Sequence, residues 1–392
     1  MTDIEGAKTR AKEGVAAAAD ELIEVSRQIH ENPELAMQER KAAALLADRL
    51  EAHGFQMERS AHGLETAVRA TWGEGPVTIA YLCEYDALPE MGHACGHNLI
   101  ATAGLGAAYG LKAALSPSEV RLLVLGTPAE ESIGGKILLL ARGAFEGVDV
   151  ALMAHPSPAD IAMPPMYGIA QVEVEYRGQS AHASFAPEMG VNALDGLVVA
   201  YQAIAQLRQH IRRDSRIHGI ITHGGSAPNV VPDRATGSFL VRALNPAYLE
   251  ELKGKVQHCF EAGAAASGAT LDIRWGPWSC SPLRSNSVLA AAYRSNAESL
   301  GRTFLDVRLD SSGSSDMGNV SQEIPSIHPM FGIGAAAFNH TPAFTEVCAT
   351  DAAHAAMVQT AQALAMTGVD VALNPDLLQR AKEEFAFGRG SP

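Results

Sequence analysis

The sequence predicts an α/β protein: a mixed, mostly parallel-sheet catalytic domain with an inserted ferredoxin-like α+β domain. Three observations lead there. Before residue 168, apolar strands are followed in turn by polar loops and helices; from there alternating strands take over; and after about residue 283 the first style returns. At 392 residues the chain exceeds what one core usually encloses, so two domains are expected, one discontinuous over 1–167 and 283–392, the other inserted at 168–282.

Between Asp20 and His53, Leu22, Ile23, Val25 and Ile29, then Ala42, Leu45, Leu46 and Leu50, fall at helical spacing with a break at Asn32-Pro33, which predicts two amphipathic helices. VTIAYLCEYDALP, from Val77 to Pro89, reads as a buried strand emptying into a loop, and HNLIATAGLGAAYGLKAAL reads as a helix of small residues. VRLLVLGTPAEE repeats the strand and loop before Glu130 and Glu131, and VDVALMAHPSP repeats it with a strand that ends at His155. Strands separated by helices pair mostly in parallel, and such sheets bind ligands beyond the carboxyl ends of their strands, where these polar residues fall.

From Tyr167 onward the order is a strand (IAQVEVEYRG), a helix (LDGLVVAYQAIAQLRQHI), strands at HGIITHGG and ATGSFLVRAL, a helix from about Ala247 to Ala266 and a strand at LDIRW. That β, α, β, β, α, β order is ferredoxin-like. A helix at SVLAAAYRSNAESLG, a Ser-rich loop, SIHPMFGIG and an alanine-rich helix complete the first domain, and the charged tail after Pro375 reads as a surface helix.

With 30 Lys and Arg against 44 Asp and Glu, the net charge of −14 argues against nucleic acid and anionic membranes as partners, since both would repel it. The N-terminus has no signal-peptide core and no stretch nears the roughly 18 apolar residues of a membrane span, so a cytoplasmic protein is expected. Five irregularly spaced cysteines do not suit a disulfide framework, and reduced thiols are expected.

The strongest chemical signal is His93-Ala94-Cys95-Gly96-His97-Asn98, where a thiolate and an imidazole two residues apart can face one metal. The bland alternative is a core cysteine beside surface histidines. Glu130-Glu131 reads either as a solvated loop or as a divided pair, one carboxylate on metal and its neighbour taking the proton of the attacking water. His155, and His340 in FNHTPAF, are each ordinary loop histidines when taken alone. Four loop clusters offering S, N and O donors in one chain point instead to a metal site, with zinc favoured and manganese or cobalt compatible with the carboxylates.

The series DALPEMGHACGHN, TPAEE, MAHP, GQSAHAS, PNVVPDRA and NHTPAF resembles the M20 metallopeptidases, in particular their amidohydrolase branch, from the first helix to the last. GHACGHN, THGG and SSDMGNVS look most similar to the aminobenzoyl-glutamate hydrolases and the related M20 domain-containing dipeptidases. The resemblance implies two divalent ions held by Cys95, His97, Glu131, His155 and His340, with Glu130 as general base and Asp86 orienting a metal-bound histidine. It also implies a homodimer through the inserted lid and dimerisation domain. His182 would reach the neighbouring subunit's site to stabilise the oxyanion, and Asn229 would lie near the same oxygen or the substrate's end group. His223 reads as a substrate contact or as a residue pairing with a strand-end carbonyl. The chain departs from the branch at Asn98, where Asp is usual.

The expected reaction is hydrolysis of the amide bond of a small N-acyl or N-aroyl amino acid or an unusual dipeptide. The alternatives are hydrolytic deamination of an aromatic amine on the same scaffold, a non-catalytic metal-binding module, and a thiol redox protein using Cys95 with Cys83 as the local partner. Two weaker signals lead nowhere: Gly104-Leu105-Gly106 lacks the GxGxxG spacing and reads as close helix packing, and Ser311 to Asp316 lacks a nucleophile elbow and reads as a turn or a substrate contact.

Overall fold

The computed structural model describes residues 3–276, 279–306 and 313–389, so Ser311 and Ser312 of the Ser-rich loop lie outside the described residues. The chain forms two compact units. One comprises the described residues of Met1–Pro164, Arg284–Leu309 and Asn319–Pro392, and the other is Pro165–Leu283 with the described part of the loop ending at Gly318.

The first unit opens with α1 (Ile4–Ala17), α2 (Ala19–Glu31), α3 (Arg40–Ala52), β1 (Gln56–Arg59), β2 (Val68–Trp72), β3 (Thr78–Glu84), α4 (His97–Ala114), β4 (Arg121–Thr127), α5 (Gly135–Ala141), β5 (Val150–Leu152) and β6 (His155–Ser157). The second contributes β7 (Gly168–Arg177), α6 (Ala193–Leu207), β8 (Ser215–His223), β9 (Arg234–Ala243), α7 (Pro246–Ser267) and β10 (Thr270–Trp275). There follow α8 (Ser287–Ser299), α9 (Met317–Glu323), β11 (Ser326–Ile327), β12 (Met330–Gly332), α10 (Pro342–Val347), α11 (Asp351–Leu373) and α12 (Pro375–Arg389).

The larger sheet runs β1-β2-β4-β3-β5-β11. Its β4–β3, β3–β5 and β5–β11 pairs are parallel, and β1–β2 and β2–β4 are antiparallel. The sheet is therefore mixed and mostly parallel, as expected. In β3 the run Ile79–Glu84 is buried throughout, the mark of a strand covered on both faces. α4 packs closely through its glycines, against β3 on one side and helices on another: a Cβ on Gly104 would stand 2.6 Å from Cys83 Sγ, and one on Gly106 would stand 2.7 Å from Leu22 Cδ1 of α2. Close packing, not a nucleotide loop, accounts for that pair.

Two features differ from the sequence reading. The opening helix α1, capped by Asp3 Oδ1 accepting from Gly6 N at 2.9 Å, buries Ala7, Ala11 and Val15, and alanine spacing of this kind gives little hydrophobic contrast. His155 does not end the strand before it: β5 stops at Leu152 and His155 opens β6, which pairs with β12 as His155↔Met330. Pro156 lacks an amide hydrogen, which suits a short two-stranded ribbon better than a central ladder.

The second unit is a four-stranded antiparallel sheet in the order β10-β7-β9-β8, with α6 and α7 packed on it around Val172, Val174, Tyr176, Leu197, Phe239 and Phe260. This is the ferredoxin-like order predicted. Asn192 and Asn245 cap its two helices, each accepting from backbone amides of the first turn. β8 is an edge strand, and its Ile220 is 64% exposed.

Candidate metal centre

The parallel register sets Glu84 of β3 beside Thr127 of β4, so the loops after both strands leave from the same edge of the sheet. Asp86 follows the first, and Pro128-Ala129-Glu130-Glu131 follows the second. Gly96, at φ 77°, turns the chain into α4 so that Cys95 and His97 flank the helix start. His340, at φ 64°, donates its amide to Ala94 O at 2.9 Å, which ties the last histidine to the Cys95 loop.

These loops bring the five expected donors together within the first unit. Cys95 Sγ lies 3.4 Å from His155 Nε2 and 3.4 Å from His340 Nε2. Glu131 Oε1 lies 3.5 Å from His340 Nε2 and 3.7 Å from His97 Nε2, and Glu130 offers an oxygen within 4.8 Å of the donors of His97 and Glu131. His97 is fully buried, whereas the His340 side chain is 54% exposed, so the cluster opens to solvent at the His340 end.

Hydrogen bonds fix which atoms face inward. His97 Nδ1 donates to Asp86 Oδ1 at 3.0 Å, and Asp86 Oδ2 accepts from Glu131 N at 3.0 Å, so one carboxylate orients both a histidine and the glutamate loop. His155 Nδ1 donates to Pro156 O at 2.8 Å, leaving Nε2 toward Cys95. Asn339 Nδ2 donates to Pro156 O at 3.2 Å and holds the two loops together.

Burial and the Glu131 carboxylate push the Cys95 thiol well above its ordinary range, so a nearby positive charge is needed to stabilise its thiolate. Burial holds His155 down to about 4. Burial is the largest single influence on His97 and would lower it too, but Asp86, Cys95 and Glu84 together outweigh that and hold it well above 6.5. Cys83, the partner a redox reading requires, is fully buried and its thiol is pushed far up by desolvation, which weighs against that reading.

Sequence reasoning missed a buried layer around these donors. Glu84, at the end of β3, pairs with Lys136 of α5, and both are fully buried. His328 is buried with its ring edge-on to His155 at 5.5 Å between centroids. Glu39, at the start of α3, accepts from Ala129 N at 2.9 Å and from Thr66 Oγ1 at 2.8 Å. Ala129 sits at φ 60°, left-handed for a residue with a Cβ, and the Glu39 carboxylate holds it there next to Glu130. Only Glu84, two residues before Asp86, carried a sequence signal: a carboxylate ending an apolar strand.

Asn98 points elsewhere. Its Nδ2 donates to Ser26 Oγ at 2.9 Å and to Cys348 O at 3.1 Å, and an aspartate, having no donor, could not make the bond to the Cys348 carbonyl. In the second unit, His182 and Val230 form an antiparallel bridge, and Ala183 N donates to Asn229 O at 3.0 Å, so His182 and Asn229 are neighbours on an exposed loop pair. His223 ends β8 opposite Thr236, after a bulge, and is exposed.

S, N and O donors on loops beside the parallel strands of an α/β unit, with a ferredoxin-like unit inserted in the chain, are the arrangement of a metal-dependent hydrolase. Residues 166–267 match the peptidase dimerisation domain. The chain is 43% identical to the mouse (Mus musculus) Xaa-Arg dipeptidase over 98% of this chain and 93% of that one. It is 27% identical to one of the subunits of the p-aminobenzoyl-glutamate hydrolase of Escherichia coli (strain K12), over 95% of this chain and 93% of that one. In fold it is similar to a Bacillus subtilis structure described as a dinuclear metal binding peptidase from the M20 family, with a TM-score of 0.72, 22% identity and coverage of 91% and 99%. The chain belongs to the M20 family of metallopeptidases. It is a hydrolase of that family.

Proposed function

We propose that this chain hydrolyses the amide bond of a small dipeptide or N-acyl amino acid at a two-ion site held by Cys95, His97, Glu131, His155 and His340, with Glu130 carrying the proton. The observation that supports this most is that His97 Nε2 and Glu131 Oε1 are buried without hydrogen-bond partners and face one another at 3.7 Å. Buried polar atoms without partners are costly, and a cation between them removes that cost. Divalent ions there, zinc first and manganese or cobalt as alternatives, would lower the pKa of water and polarise the amide oxygen.

In this reading Glu130 accepts a proton from the attacking water and then delivers it to the leaving nitrogen. Asp86 keeps His97 and the Glu131 backbone in place. His182 of a partner subunit donates from Nε2 to the oxyanion: Ser184 N donates to its Nδ1 at 3.3 Å, which leaves the ring proton on Nε2. Asn229 of that partner subunit, beside its His182, would lie near the same oxygen or the substrate's end group, and His223 is a candidate substrate contact. The exposed Ile220 and Ile221 of edge strand β8 support assembly as a homodimer through this unit.

Similarity to a dipeptidase named for C-terminal arginine makes Xaa-Arg dipeptides the first substrates to test, and a net charge of −14 favours a cationic substrate over an anionic one. None of the five cysteines forms a disulfide, which fits a cytoplasmic enzyme. The test is release of free arginine from Xaa-Arg dipeptides, beside aminobenzoyl-glutamate and N-acetyl amino acids, by protein stripped of metal and reloaded with zinc, manganese or cobalt. Hydrolysis only after reloading, lowered by several orders of magnitude in Glu130→Gln at unchanged ion content, is expected. No hydrolysis of any of them by protein carrying two ions would refute the reading.

A further inference from the structure

The geometry points to Glu84 as a sixth protein donor to the metal pair, supplying Oε2 to the ion held by His97 Nε2 while Lys136 holds its Oε1. The inference rests on the two-ion reading above and adds to it a residue that reading does not use.

Glu84 is the last residue of β3, with no exposed surface. Its Oε1 is taken by the Lys136 ammonium. Its Oε2 has no hydrogen-bond partner and stands 3.5 Å from His97 Nε2, which is also without one. Because Asp86 occupies His97 Nδ1, Nε2 is the ring nitrogen left for coordination.

The spacing discriminates between a metal and a hydrogen bond. Around a tetrahedral ion with bonds of about 2.1 Å, neighbouring donors stand about 3.4 Å apart. His97 Nε2 to Glu84 Oε2 at 3.5 Å and His97 Nε2 to Glu131 Oε1 at 3.7 Å both fall near that edge length. They are long for a charge-assisted N–H···O bond, which closes to about 2.7–2.9 Å. Glu84 and Glu130 also offer oxygens within 4.8 Å of one another, so Glu84 lies on the side of the cluster where the base waits.

The donor types then differ across the site. Cys95, His97 and His155 form a sulfur–nitrogen group suited to zinc, whereas His97 with Glu130 and Glu131 forms an oxygen-rich group, and a Glu84 oxygen 3.5 Å from His97 Nε2 adds to the oxygen donors that a harder ion such as manganese accepts readily. Lys136 serves as a positioning residue, because its ammonium offsets the charge of the added carboxylate and fixes which oxygen faces the ion.

The experiment counts ions. Wild type, E84Q and the double variant E84Q/K136M, which removes both members of the buried pair and so leaves no uncompensated lysine, are stripped and titrated with Mn²⁺ or Zn²⁺ against a chromophoric chelator. Bound metal is counted by mass spectrometry, and folding is checked by circular dichroism. Wild type is expected to take two ions, and a folded variant to keep one while binding the second at least tenfold more weakly, with the larger loss for Mn²⁺. Two ions bound at wild-type affinity by either folded variant would overturn the assignment of Glu84. Wild type failing to bind two ions would overturn the two-ion reading itself, which is a distinguishable result.

Discussion

Replacing Asp86 with Asn tests whether one buried carboxylate organises the centre. Asp86 is 1% exposed and uses both oxygens, one for His97 Nδ1 and one for Glu131 N, each at 3.0 Å. Asparagine has one acceptor. If its oxygen keeps the Glu131 amide, its NH₂ faces His97 Nδ1, and the imidazole must move its proton to Nε2, the atom aimed at the ion. If its oxygen keeps His97 instead, two donors meet at Glu131 N. Either way one charge-assisted hydrogen bond is lost, worth about 1.5–3 kcal/mol. At about 1.4 kcal/mol per decade, ion affinity should fall about 10- to 100-fold. Chelator competition on the stripped protein at fixed pH measures this directly. An affinity within threefold of wild type would mean that His97 does not need Asp86 to present Nε2.

Other variants probe the neighbouring structure. Asn98→Asp should lower stability by about 1–3 kcal/mol, seen as a lower Tm of the metal-free protein, because a carboxylate cannot donate to Cys348 O and Ser26 Oγ; an unchanged Tm would point Asn98 back toward a role at the metals. Ile220→Lys on edge strand β8 should shift the protein toward monomer in light scattering, and a dimer of undiminished affinity would place the interface elsewhere. Burial holds His93 and His328 down to about 3, against an ordinary 6.5. Below pH 6.5 the unfolded chain gains protons that the folded chain refuses, so their contribution is present above 6.5 and is lost as pH falls toward 3. The urea midpoint of the metal-free protein should drop from pH 7 to pH 5, with up to about 1.4 kcal/mol per pH unit for each imidazole, and a flat profile would contradict the burial of neutral rings.

Much of the sheet was legible because β3 and β4 carry buried apolar runs, Ile79–Cys83 and Leu122–Leu125, that lead into loops bearing charged residues. The inserted unit was legible from alternation: β9 buries every second residue from Ala235 to Ala243. The helix α1 escaped because Ala7 and Ala11 contrast weakly with their surroundings, and β6 because its pairing with β12 depends on a partner more than 170 residues away in sequence, His155 with Met330. Cys95, His97, Glu130, Glu131, His155 and His340 were visible as donor-type residues in loops. Of their supports only Asp86 was carried, by the resemblance. Glu39, Lys136 and His328 act through contacts made only once the chain has folded.

The left-handed backbone at Ala129 and His340 has a further consequence. Both positions are held by hydrogen bonds from other segments, Glu39 in one case and Ala94 in the other, so the residues beside them have little freedom to drift. A donor cluster pinned in this way can be inherited unchanged while what approaches it changes. New specificities would then arise at side chains that no such bond restrains, such as Phe338, two positions before His340 and 76% exposed, where a substitution alters what approaches the centre without disturbing its frame.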